Sequence, residues 1–108
     1  SVRNILDIKK VYPHYSDFIQ FMNKFVDDSN YEVRVSSLKI LCIFVQKLGT
    51  NVNQVYKVVC QCARNVMSQT HQSKTIKQYL TTMILTTIDF MINPILVLES
   101  LLEKVNII

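Results

Sequence analysis

The stretch Asp17-Phe-Ile-Gln-Phe-Met-Asn-Lys-Phe-Val-Asp-Asp-Ser-Asn-Tyr-Glu-Val-Arg-Val-Ser-Ser-Leu-Lys-Ile-Leu-Cys-Ile-Phe-Val-Gln-Lys-Leu48 decides the fold. Phe18, Phe21, Met22 and Phe25 recur at i, i+3, i+4 and i+7, and Ile19 and Val26 widen the stripe, which is the pattern of a helix with one apolar face. Asp27-Asp28-Ser29-Asn30 reads as a turn, because these short side chains bond their own backbone and tolerate unusual dihedral angles. From about Tyr31 to Leu48 a second helix is expected. Val33, Leu38, Leu41, Val45 and Leu48 form one side of it, while Val35, Cys42 and Ile43 lie off that side. A helix that is apolar nearly all round is packed between neighbours. Two such helices joined by an acidic turn cannot bury their own hydrophobic surface, so further helices must stack on them.

The flanks supply those helices. Ser16 is the expected N-cap of the first helix of the pair, with Asp17 favourable at the positive end of the dipole. Upstream, Val2, Ile5, Ile8 and Tyr12 place a helix over Ser1–Tyr12, and Pro13 ends it. Downstream, Gly49 is the expected C′ residue of the second helix and Asn51 the opening of a fourth. In that fourth helix Val52, Val55, Tyr56, Val59, Cys62, Ala63, Val66 and Met67 fit the helical template, and Asn53, Gln54, Lys57, Gln61, Arg64 and Asn65 take the wet face. Ser68 to Ser73 is a polar loop. A fifth helix carries Ile76, Leu80, Met83, Ile84, Thr87, Ile88 and Met91; its threonines lower intrinsic propensity, so packing must hold it. Asn93-Pro94 marks the start of the last helix, continued by Leu98, Leu101, Leu102 and Val105. Ile107 and Ile108 are expected to touch something beyond residue 108, either a next repeat or a second copy, and Ser1 reads as the start of an excised fragment.

Composition agrees with long helices and short loops. The 108 residues are 49% hydrophobic with one Gly and two Pro, too few turn-makers for a β-sandwich or an α/β enzyme. A chain of this length forms one domain, spanning residues 1–108, and buries roughly 65% of its unfolded surface. No apolar run approaches the ~20 residues that span a bilayer, and no signal pattern opens the chain, so a cytoplasmic protein is expected. The three cysteines, Cys42, Cys60 and Cys62, read as buried free thiols in a reducing compartment. Cys60 and Cys62 are two apart and point in different directions on a helix, and there is no C-x-x-C pair to build a zinc site. The net charge of +4 is spread along the chain, and only Lys74 and Lys77 beside His71 are dense. That is a bias towards acidic partners without the stripe that nucleic-acid binding needs.

Enzyme signatures are missing. One glycine excludes a phosphate-cradling loop. His71 lies in a polar loop and His14 beside Pro13, and neither has an evident catalytic partner. Glu99 and Glu103 are an i, i+4 pair on a wet helix face, and Phe18, Phe21 and Phe25 are core by their spacing rather than a base-stacking platform. No catalytic residue, metal site or cofactor is expected.

Two Val-Arg dipeptides, Val2-Arg3 and Val33-Arg34, open successive second helices about one repeat apart. The unit from Asp17 to Leu48 resembles a HEAT repeat, a family with an aspartate in the turn and, after a valine, an arginine six residues later; here these are Asp28, Val33 and Arg34. The resemblance implies an all-α, right-handed superhelix of five or six helices, about two and a half repeats. It also implies a carboxylate capping the second helix and a guanidinium reaching a neighbouring repeat. Within the family, Asp28-Ser29-Asn30, the ending Lys47-Leu48-Gly49 and the later Ile95-Leu96-Val97-Leu98-Glu99 are similar to TOG domains, which bind tubulin through their turns. Carried over, Ser29, Asn30, Tyr31 and Arg34, with Gln72, Lys74 and Lys77 of the next turn, line the contact edge, and their basic members suit tubulin's acidic surface. This implies a microtubule, centrosomal or ciliary setting. The alternative is a scaffold in trafficking or RNA processing that takes a partner's helix in its concave groove.

Overall fold

The computed structural model describes residues 14–103, and among them every regular element is helical. Helix α1 covers residues 14–22. It is followed by α2 (Tyr31–Leu48), a 3-10 segment (Gly49–Gln54), α3 (Tyr56–Met67), α4 (Lys74–Phe90) and α5 (Ile95–Leu101). The helix expected over Ser1–Tyr12, its stop at Pro13, the Val2-Arg3 dipeptide, Val105 and the terminal Ile107 and Ile108 lie outside the described residues.

Local chemistry sets the boundaries, not always where the spacing put them. Asn30 caps α2: its side-chain oxygen accepts from the backbone N–H groups of Glu32 at 2.8 Å and Val33 at 3.4 Å. Ser73 caps α4 by accepting from the Ile76 N–H at 3.2 Å. Ser16 is not a cap, because the helix already runs from residue 14 and encloses it. Asn51 does not open α3 either. Gly49 takes φ 55 and ψ −129, which ends α2 and leads into the 3-10 turn. Asn53 then ties that turn to the far end of α4, donating to Phe90 O at 2.9 Å and accepting from Ile92 N at 3.0 Å. Regular α-helix resumes only at Tyr56.

The helices pack in two rows. In one row α3 lies between α1 and α5; in the other α2 lies beside α4. The neighbours within a row run parallel, start beside start and end beside end. Tyr31 and Ser73 meet at the starts of α2 and α4, and Gly49 and Phe90 at their ends. In the other row Ile19 is level with Cys62 and Asn23 with Asn65, and then Cys60 with Val97 and Arg64 with Ser100. Ile19, Leu38, Leu41, Val45, Val59, Val66, Ile76, Met83 and Val97 fill the space between the rows and are at most 2% exposed. Phe44 closes the α1–α2 pair, its ring tilted against Phe18 at 4.6 Å and meeting Tyr15 edge-on at 5.7 Å. Phe21, expected in this stripe, is instead 52% exposed and leans on Phe25.

All three thiols are buried, free and used within the rows. Cys42 donates to Tyr79 O across α2–α4, Cys60 to Val97 O across α3–α5, and Cys62 to Ile19 O across α3–α1. The divergence of Cys60 and Cys62 is therefore real: one faces each neighbour of α3. Burial pushes the Cys42 thiol up to about 11 and the Cys62 thiol up to about 12, and raises Cys60 as well. The neutral thiol is what the packing accepts, because a thiolate in an apolar seam loses its hydration.

Two outcomes follow from this core. Met83→Ala costs about 2–5 kcal/mol in denaturant unfolding, whereas Lys39→Ala stays within about 0.5 kcal/mol. The folded thiols titrate above the unfolded value of 9.0, so between that pH and about 11 the unfolded chain holds fewer protons and stability falls as pH rises. The unfolding midpoint drops over this window, and the drop is shallower in a Cys42→Ala, Cys62→Ala variant measured beside the parent.

Candidate protein-binding edge

The turns at the starts of α2 and α4 lie side by side because those helices are parallel. In the first turn Asp28 Oδ1 accepts the Asn30 N–H at 2.8 Å, which presents Asn30 to cap α2. Arg34, one helical turn further on, folds back over the loop. Its Nη1 donates to Asp28 O at 2.8 Å and Ser29 O at 3.2 Å, and its guanidinium lies 5.5 Å from the centre of the Tyr31 ring. The expected roles are thus redistributed. Asn30, rather than Asp28, caps the helix, since its side chain stands at the N-cap position. Arg34 bonds its own turn rather than a neighbouring repeat, because the carbonyls of Asp28 and Ser29 are within reach and otherwise unused. Val33 is half-buried at the base of the same turn.

The second turn is joined to the first by side chains that sequence spacing did not single out. Tyr31 Oη and Ser73 Oγ are 2.9 Å apart, which links the first residue of α2 to the cap of α4. Gln69 Nε2 donates to Val26 O at 2.7 Å, and Asn65 Nδ2 to Asn23 Oδ1 at 2.6 Å. Nothing local marks Gln69, Asn65 or Ser73 as bridging residues. Each stands 42 or 43 residues from its partner, so only a repeat-length comparison could have found them. Gln72 spends its amide on Val66 O at 2.6 Å and braces the loop from within. Lys74 and Lys77 are exposed in the first turn of α4.

The expected edge residues therefore divide into two sets. Ser29, Asn30, Tyr31, Lys74 and Lys77 are exposed along one border of the molecule, while Arg34 and Gln72 are partly buried supports beneath it. Between the two turns runs a cleft of about 320 Å³ lined by Asp27, Asp28, Ser29, Arg34, Gln69, Thr70 and His71. Two buried atoms of its lining residues have no hydrogen-bond partner, the donor Arg34 Nε and the acceptor Gln69 Oε1. Each unmade bond costs about 1–3 kcal/mol, so a polar group added at the seam between the turns has two buried atoms to pair with. The charges are mixed: Asp27 and Asp28 at the first turn, Lys74 and Lys77 beside the second. No cluster of histidine, cysteine or carboxylate groups suited to a metal ion occurs among the described residues, and no described helix is long and apolar enough to cross a membrane.

Asn30→Ala removes the cap while leaving the exposed surface nearly intact. It lowers unfolding free energy by about 1 kcal/mol, and Asn30→Asp, which retains an acceptor, restores most of it in the same denaturant titration. Compared with known proteins, the chain matches no protein family, no curated sequence and no solved structure.

Proposed function

We propose that this chain is a non-enzymatic protein-binding module of the HEAT type, its helix pairs stacked as a superhelix, and that it engages tubulin through the edge formed by its turns. The observation that carries this reading is the bond between Tyr31 and Ser73, which fixes two successive turns in one rigid border. The two parallel rows support the HEAT-type reading, since each helix is repeated beside itself after roughly one hairpin. Exposed Lys74 and Lys77, with Tyr31 at 39% exposure beside them, offer cations and an aromatic anchor to an acidic partner surface. The tryptophan typical of a TOG domain's first turn has no counterpart here, as the chain contains none. Tyr31 takes the place of the large aromatic side chain on this edge.

A second reading, a groove that receives a partner's helix, draws on the outward faces of α2 and α4. There Ile43 is 45% and Leu85 54% exposed, with Lys39 and Lys47 beside them on α2. The two readings separate by mutation. Size-exclusion chromatography of the chain with αβ-tubulin, at concentrations on the order of tens of micromolar, gives co-elution on the edge reading. Lys74→Glu with Lys77→Glu abolishes it and Ile43→Glu leaves it intact. Absence of co-elution contradicts the edge reading, and loss with Ile43→Glu alone places the contact on the outward faces of the helices instead.

A further inference from the structure

The cleft between the two turns has an unmade hydrogen bond on each wall. On one wall stands Arg34 of α2. Its Nη1 is spent on Asp28 O and Ser29 O, and its Nε donates to nothing. On the other stands Gln69, in the loop between α3 and α4. Its Nε2 is spent on Val26 O, and its Oε1 accepts nothing. Both residues belong to the lining of one cavity of about 320 Å³. The two idle atoms are buried, so bulk water does not complete them. Both walls are described segments of the chain, so the cleft does not arise from an uncovered helix at either end.

These two atoms define what the cleft takes. Nε–H needs an acceptor and Oε1 needs a donor, so a group with only one of these leaves the other atom unpaired. Charge narrows the choice further. A carboxylate meets Asp27 and Asp28, which share the lining with Arg34, and an ammonium or guanidinium group meets Arg34 itself. A neutral group remains. A hydroxyl carries donor and acceptor on one atom, whereas a carboxamide carries its oxygen and its NH2 apart and can face both walls at once. Because both idle atoms lie below the surface, the group must come at the end of a slim side chain. A main-chain amide is flanked by carbon on both sides and stays at the rim. The rim consists of Asp27, Ser29, Thr70 and His71, exposed side chains that are free to swing aside.

We propose that this cleft is a recognition pocket for a carboxamide side chain, glutamine or asparagine, carried on an exposed loop of a partner protein. The carboxamide oxygen accepts from Arg34 Nε and its NH2 donates to Gln69 Oε1, so the partner pairs both walls. The inference deepens the reading of the turns as a binding edge and rests on it, but it does not require the partner to be tubulin. It also adds a selectivity that exposed Lys74 and Lys77 do not supply. A site built to pair a donor and an acceptor rejects an apolar group of the same shape.

The probe is N-acetyl-glutamine amide, titrated at millimolar concentration into the whole isotope-labelled chain and followed by nuclear magnetic resonance. Saturable shifts are expected at the Arg34 Nε–H and the Gln69 side-chain NH2 signals. N-acetyl-methionine amide has nearly the same shape and the same main-chain amides, and it binds at least about tenfold more weakly. N-acetyl-glutamate amide is weakened as well, because its charge meets Asp27 and Asp28. Gln69→Met removes the acceptor and with it the preference for the glutamine probe. Should that variant fail to fold by circular dichroism, the three probes on the parent chain still decide. Lys74→Glu with Lys77→Glu, which removes tubulin co-elution on the edge reading, leaves the shifts unchanged, so the two readings fail separately. Equal binding of the methionine probe assigns the contact to main-chain amides and overturns the proposal. Absence of saturable shifts, or shifts confined to residues outside the cleft, overturns it too.

Discussion

Parallel contact between a helix and its counterpart one hairpin later organises this molecule. The side-chain hydrogen bonds that join distant parts of the described chain all connect residues between 36 and 43 positions apart, from Arg64–Ser100 to Gln69–Val26. In a closed bundle the first helix would also meet the last, and separations would scatter. Among the described residues the separations stay within that narrow range, and each helix of a row lies beside one about that far from it in the chain. The apolar layer between the rows, Leu41 and Val45 from one side and Ile19, Val59 and Val66 from the other, supplies the burial that holds them together.

That packing explains why the turns matter. A loop alone is a mobile connection, but two loops at the starts of parallel helices are held in register by the helices beneath them. Tyr31, Ser73 and Gln69 then fasten one loop to the other, and Arg34 stiffens the first from within. The result is a preorganised border, and in the proposed binding role its exposed groups need little further ordering.

The sequence was legible where periodicity and turn chemistry acted together. The limits of α2, the loop from Ser68 to Ser73 and the divergent directions of Cys60 and Cys62 all follow from spacing. It was less legible where tertiary bonds override local preference. Asn51 has the chemistry of a helix start, yet Asn53 anchors that segment to the end of α4 and delays regular helix to Tyr56. Phe21 fits the stripe of its helix but falls on an outer side, where Phe25 and Lys24 lie against its ring and it stays 52% exposed. At the edge, Asp28 and Arg34 were visible as a spaced pair, but which group capped and which carbonyls the arginine met depended on the path of the turn. The bridging residues Gln69, Asn65 and Ser73 were invisible, because a polar residue in a loop gives no sign that its partner lies a whole repeat away.

The most direct test of stacked rather than bundled hairpins is the pattern of nuclear Overhauser contacts in solution. The stacked arrangement gives contacts between Tyr31 and Ser73, Cys42 and Tyr79, Ile19 and Cys62, and Cys60 and Val97, all within rows. Contacts between α1 and α5, or between α2 and α5, in place of these would contradict it.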